Sequence, residues 1–139
     1  MNPKWHRYFF SVVDLTAKLS VATRLKVGCV LVRDKRIILC GYNGMPAGSE
    51  NESCEDDFGR TRNEVLHAEE NAILYAAKKG ISLQDSTLYI SYSPCIHCSR
   101  MIYGAGIKEM FYRENYRLSE GLDFLEQMSI PVFQITSSL

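Results

Sequence analysis

Residues 87–113 read "TLYISYSPCIHCSRMIYGAGIKEMFYR", and the fold class turns on this stretch. Its opening, "TLYISYS" (87–93), is rich in β-formers and reads as a strand. Residues 95–104 read as a short helix, closed by Gly104 and Gly106. "EMFYR" (109–113) returns to strand character. Strand, helix and strand in succession are the unit of an α/β sheet.

The flanks extend the pattern. Upstream, "KVGCVLV" (26–32) and "RIILCGY" (36–42) are β-branched runs joined by a polar "RDK", a hairpin. Downstream, 118–128 reads as a helix and "IPVFQI" (130–135) as a last strand. At the N-terminus Trp5, Tyr8, Phe9, Val12, Val13 and Leu19 recur at helix spacing, with Asn2 placed to cap and Pro3 suited to the first turn. "LHAEENAILYAAKKG" (66–80) predicts a helix over 67–79, with Ala68, Ala72, Ile73 and Ala76 as its buried stripe and Gly80 as its stop. Residues 43–65 have no clear period, and so long a loop inside a small domain points to function. The expectation is one α/β domain over 1–139. It is a three-layer α/β/α sandwich with a central mixed sheet of about five strands and helices on both faces.

The totals narrow the function. The 139 residues, 46% apolar and 23% charged, suit one globular domain with a real core. Sixteen basic residues balance sixteen acidic ones, which favours a small charged ligand over a nucleic acid polymer. No run is long and apolar enough for a bilayer, and no leader pattern is read, so no membrane partner is expected. The expected location is cytoplasmic, or the cytosol of an infected host cell for a viral source. The five cysteines, at 29, 40, 54, 95 and 98, then favour a metal or thiol role over a disulfide framework.

Two short pieces carry chemistry: "HAE" (67–69) and "PCIHC" (94–98), each at a predicted helix start. Cys95 and Cys98, at i and i+3, face one way and can share an ion. One imidazole, from His67, and two thiolates suit Zn²⁺ and leave a fourth position for water. A helix N-terminus lowers thiol pKa and favours thiolates. Glu69 is then free to move protons. Residues i and i+2 of a regular helix do not face one side, so His67 and Glu69 can share a site only at an irregular first turn.

The pairing of H-x-E with P-C-x-x-C is the signature of zinc nucleobase deaminases. With "TRLKVGCVLV" (23–32), "GYNGMPAG" (41–48), "HAEENAI" (67–73), "SPCIHCSRMI" (93–102) and "AGIKEMFY" (105–112), the chain resembles the cytidine/deoxycytidylate deaminase superfamily over nearly its whole length. Within it the chain is most similar to the deoxycytidylate (dCMP) deaminases. The resemblance implies a cytidine deaminase-like fold and hydrolysis of dCMP to dUMP and ammonia, which supplies a thymidylate precursor. It also implies a homo-oligomer, with a hexamer favoured, activated by dCTP and inhibited by dTTP.

The resemblance assigns roles to particular positions. His67, Cys95 and Cys98 match the zinc ligands and Glu69 the proton shuttle. The backbone N–H of Ala68 would hold the base carbonyl, and the backbone near Ser93 would accept from the leaving amine. Asn43 matches a contact to the deoxyribose 3′-hydroxyl. Arg24 and Lys26, then Tyr116 and Arg117, are candidates for the phosphate, where charge-assisted bonds are strong. Tyr42, Gly44, Met45 and Glu64 are candidates for the effector site. "EDD" (55–57) reads as a solvated turn, although its acidic residues could help hold the Mg²⁺ that accompanies a triphosphate.

Other residues have plainer expectations. "SVATR" (20–24) lacks the cysteine that a second, structural zinc would want, so one metal is expected. Cys29 and Cys40 read as small core residues, Cys54 as a free loop thiol, and His6 and His97 as surface residues. The stripe at 5, 8 and 9 reads as core or subunit contact. Two other readings stand beside dCMP deamination. One is another deaminase of the superfamily, acting on free cytidine or tRNA adenosine. The other is a non-catalytic nucleotide sensor, against which Glu69 speaks.

Overall fold

The computed structural model describes residues 2–136; Met1 and 137–139 of the expected unit lie outside the described residues. The elements run α1 (Pro3–Ala17), β1 (Gly28–Arg33), β2 (Arg36–Tyr42), α2 (Ala68–Lys79), β3 (Thr87–Tyr92), α3 (Ile96–Gly104), β4 (Glu109–Glu114), α4 (Glu120–Gln127) and β5 (Val132–Gln134). The strands form one sheet in the order β2-β1-β3-β4-β5. β1 pairs antiparallel with β2 and β3, while β3–β4 and β4–β5 are parallel. The mixed character follows from the sequence: a tight hairpin makes one antiparallel pair, and helical crossovers make the parallel ones. Asp34 and Lys35, both at positive φ, form the two-residue hairpin turn between Arg33 and Arg36.

Side chains alternate across the sheet. Cys29, Leu31, Leu88 and Ile90 join one buried cluster with Ala68, Ala72 and Ala76 of α2, Ile102 of α3 and Leu125 of α4. Val30, Val32 and Tyr89 join the other, with Phe9, Phe10 and Val13 of α1. The three layers are therefore α1, the sheet, and α2 to α4, the α/β/α sandwich that was expected. α2 lies unusually close to β2, since a Cβ at Gly41 would meet Ala72 Cβ at 2.9 Å. The small side chains of α2 permit this approach, which sets the height of the helix start above the sheet.

Several expectations change. His6 is half-buried rather than on the surface: its Nδ1 lies 2.8 Å from the Tyr89 hydroxyl and its ring packs on Phe111. A buried tyrosine hydroxyl needs such a partner. Cys40 is exposed, because β2 is an edge strand, whereas Cys29 is in the core. The aromatic stripe divides: Phe9 is buried, Trp5 half-buried and Tyr8 exposed. Residues 43–65 are not structureless. Gly44 pairs with Leu66 and Glu55 with Thr61, and the free thiol of Cys54 is buried.

Candidate active site

Two helix starts converge here. His67 caps α2 and Cys95 caps α3. His67 is extended, with φ −68° and ψ 161°, so it stands outside the regular helix. The irregular first turn that the i, i+2 spacing demands is thus present, and His67 and Glu69 line one cleft. Glu70 fixes the turn by accepting from the His67 N–H at 2.8 Å. This half of a capping box was hidden because histidine is an unusual cap residue. Asn71 donates to the Tyr42 carbonyl at 3.0 Å and ties α2 to the end of β2.

His67 Nδ1 lies 3.3 Å from Cys98 Sγ and 3.6 Å from Cys95 Sγ, and the three atoms fall within 4.8 Å of one another. With Zn–N about 2.1 Å and Zn–S about 2.3 Å, a tetrahedral ion has N···S edges of about 3.6 Å. The donor set and its spacing therefore fit one Zn²⁺. Among the described residues the cluster contains no fourth His, Cys, Asp or Glu, so it supplies three protein ligands, as catalytic zinc sites do.

The charges suit the same ion. Cys95 is pushed down to about 3, chiefly by its hydrogen bond with Cys98 and further by His67. Cys98 is pushed up, first by Cys95 and then by burial. His67 is raised to about 9 by its hydrogen bond with Cys95, against the opposing effect of burial. The trio thus holds protons that a bound cation would displace. The Cys98 N–H also points at Cys95 Sγ, 3.4 Å away, as a helix N-terminus offers to an anion. Glu69 is 4% exposed, and burial raises it to about 7.

The cleft in front of these groups encloses about 520 Å³. Arg24, Asn43, Ala68, Ser93, Tyr116 and Arg117 line it with His67, Glu69 and Cys95, whereas Cys98 is fully buried behind them. Lys26 is not among the lining residues, and neither are Tyr42, Gly44, Met45 and Glu64. Ala68 is the first residue of α2, so its N–H has no partner within the helix. Ser93 Oγ accepts from the Tyr116 N–H at 2.7 Å, which fixes the Tyr116–Arg117 segment to the loop that presents Cys95. Asn43 uses its amide on the backbone, donating to Leu25 O and accepting from Val27 N. His97 is exposed, as expected. Glu55, Thr61 and Asn115 also line the cleft. The sequence reading had Glu55 only within the acidic turn "EDD" and missed Thr61, in the aperiodic loop, and Asn115, beside "YR" (116–117).

The model for the cytidine and deoxycytidylate deaminase zinc-binding region matches residues 3–114. Deoxycytidylate deaminase of Saccharomyces cerevisiae is 39% identical over 86% of the chain, which spans only 41% of the yeast protein's length. Deoxycytidylate deaminase of Mycobacterium phage D29 is 37% identical over 80% of the chain and 95% of the phage protein. The solved structure of dCMP deaminase from the cyanophage S-TIM5, in complex with dCMP and dUMP, superposes with a TM-score of 0.93 at 37% identity, covering 97% of this chain and 99% of that one. The chain belongs to the cytidine and deoxycytidylate deaminase zinc-binding family.

Proposed function

We propose that the protein is a dCMP deaminase, which hydrolyses dCMP to dUMP and ammonia and so supplies dUMP for thymidylate synthesis. One observation carries this reading: His67, Cys95 and Cys98 cluster beside the buried Glu69 in a cleft that also receives Arg24 and Arg117. His67, Cys95 and Cys98 would hold the ion. When bound, Zn²⁺ supplies Lewis-acid chemistry that brings the pKa of water to about 7.

The chain's own residues do the rest. Glu69 takes a proton from the attacking water, delivers it to the ring nitrogen of cytosine, and passes a second to the departing amine. Burial suits it to this task, since a carboxyl near neutrality both accepts and gives protons. The Ala68 N–H orients the base carbonyl, and the backbone at Ser93 accepts from the amine. Asn43, whose amide keeps one N–H and one oxygen lone pair beyond its two backbone bonds, contacts the deoxyribose, while Arg24, Tyr116 and Arg117 receive the phosphate, with Lys26 further out. Net neutrality and a small cleft favour this nucleotide over a tRNA adenosine.

Activation by dCTP and inhibition by dTTP belong to the same proposal, with Tyr42, Gly44, Met45 and Glu64 at the effector site and Mg²⁺ accompanying the triphosphate. Gly44 N donates to Leu66 O at 3.1 Å and Leu66 N to Gly44 O at 2.8 Å, one residue before His67. An effector on this segment therefore has a short mechanical route to the site. The proposal includes a homo-oligomer, with a hexamer favoured; the adjacent exposed Leu74 and Tyr75 of α2 offer apolar surface for a subunit contact. A cytoplasmic location accords with a free-nucleotide substrate.

The test is ammonia or uracil-nucleotide release from dCMP, CMP, cytidine, dCTP and adenosine-bearing RNA, with and without a chelator. Chelator-sensitive turnover with dCMP far ahead is expected. Equal efficiency on cytidine would refute the phosphate pocket.

A further inference from the structure

Arg24 lies on residues 20–27, an irregular connection between α1 and β1 with no helix or strand to aim it. Side chains from two other parts of the cleft hold this segment. From the end of β2, Asn43 bonds Leu25 O at 2.8 Å and Val27 N at 2.9 Å. From the long loop, Glu55 accepts from the Thr23 N–H with both oxygens at 3.2 Å and from the Arg24 N–H at 3.3 Å. Successive N–H groups turned toward one anion make a concavity suited to a carboxylate. Burial pushes the Glu55 carboxyl up, but the Thr23 and Arg24 N–H bonds and the Arg24 charge together bring it below its ordinary value.

The base that carries Glu55 is well tied. Arg62 N donates to Cys54 O at 2.8 Å and Asp56 N to Arg60 O at 2.7 Å. Asp56 Oδ1 caps the turn by accepting from Phe58 N and Arg60 N. Cys54, 1% exposed, anchors the turn to the body. A carboxylate beside a phosphate subsite repels the ligand, so its presence calls for a compensating task.

We propose that Glu55 is the positioning residue of the phosphate end of the cleft, holding the Thr23–Arg24 backbone so that the Arg24 guanidinium meets the substrate's phosphate. This rests on the dCMP reading above. Glu55 acts through Arg24, so its effect is confined to substrates that carry a phosphate.

Steady-state kinetics on dCMP and deoxycytidine test this for the wild type, Glu55→Ala, Glu55→Gln, Arg24→Gln and the double variant Glu55→Ala/Arg24→Gln, with thermal unfolding of each. Glu55→Ala should raise the KM for dCMP about tenfold, the scale of a lost charge-assisted bond, with kcat within about twofold. Deoxycytidine turnover should move by less than about twofold. Glu55→Gln keeps one acceptor oxygen and should recover most of the loss. In the Arg24→Gln background the Glu55→Ala change should add little. A dCMP KM that stays put or falls, equal losses on both substrates, or additive effects in the double variant would each overturn the proposal. A wild type indifferent to the phosphate would overturn the dCMP reading itself, and this proposal with it.

Discussion

Gly121 of α4 packs so closely on Pro94 that a methyl group there would run into the Pro94 carbonyl oxygen, and would meet Ser99 Oγ at 2.7 Å and Cys95 O at 2.8 Å. α4 thus backs the loop that presents Cys95, a proposed metal ligand. Two of these three neighbours are backbone, which yields only by moving Cys95 or the helix. Gly121→Ala should therefore cost about 1–3 kcal/mol, as overpacking does, and should loosen the metal as well. Thermal unfolding and competition with a chromophoric chelator measure the two effects. Unchanged Tm and zinc retention would show that α4 gives way freely.

The second prediction concerns Glu69, which burial raises to about 7. Glu69→Gln keeps the shape and hydrogen-bonding reach of the side chain but removes the proton acceptor. Turnover of dCMP should fall by about 10²–10⁴, the usual contribution of general acid–base catalysis. Zinc content and dCMP affinity, measured by calorimetry, should stay near wild type. Near-normal turnover would remove Glu69 from the mechanism.

The parts of this molecule legible in its sequence are those set by local rules. The β-branched runs and helix spacing anticipate the five strands and four helices of the described residues, because strand alternation and helix period are local properties. The His67, Cys95 and Cys98 set was legible because thiolate and imidazole chemistry narrows the choice of ion. Contacts that depend on tertiary approach were not. His6 looks like a surface residue until Tyr89 is placed beneath it. Glu55 sits in an acidic turn that reads as solvated, and only the fold brings it to Thr23 and Arg24, some thirty residues upstream. Cys40 was misread because its strand pattern does not say which strand is the edge.

The third prediction is that the metal links folding to activity. His67 and the two cysteines come from separate segments, joined at α2 and α3 through these side chains. A cation held by three of the chain's own groups stabilises the folded state over the unfolded one. Prolonged chelation should therefore abolish turnover and lower the Tm, and added Zn²⁺ should restore both. Cys98→Ser should lose both and recover neither at stoichiometric Zn²⁺. Full activity after chelation, with zinc confirmed absent, would refute the metal's role.

The last prediction uses the tie between residues 42–45, the proposed effector segment, and Leu66, next to His67. If dCTP acts through residues 42–45, its coupling to dCMP is reciprocal: each nucleotide must tighten the other by the same factor, typically about 5–150-fold. Glu69→Gln allows both affinities to be measured at equilibrium without turnover. dCMP affinity should rise with dCTP present, dCTP affinity should rise equally with dCMP present, and dTTP should reverse the sign. Met45→Ala should weaken both effectors together, since the proposal assigns both to one site. Its side chain lies outside the cleft lining, so dCMP affinity measured without effectors should change little. Equal dCMP affinity with and without either triphosphate would leave the Gly44–Leu66 pair a structural tie alone.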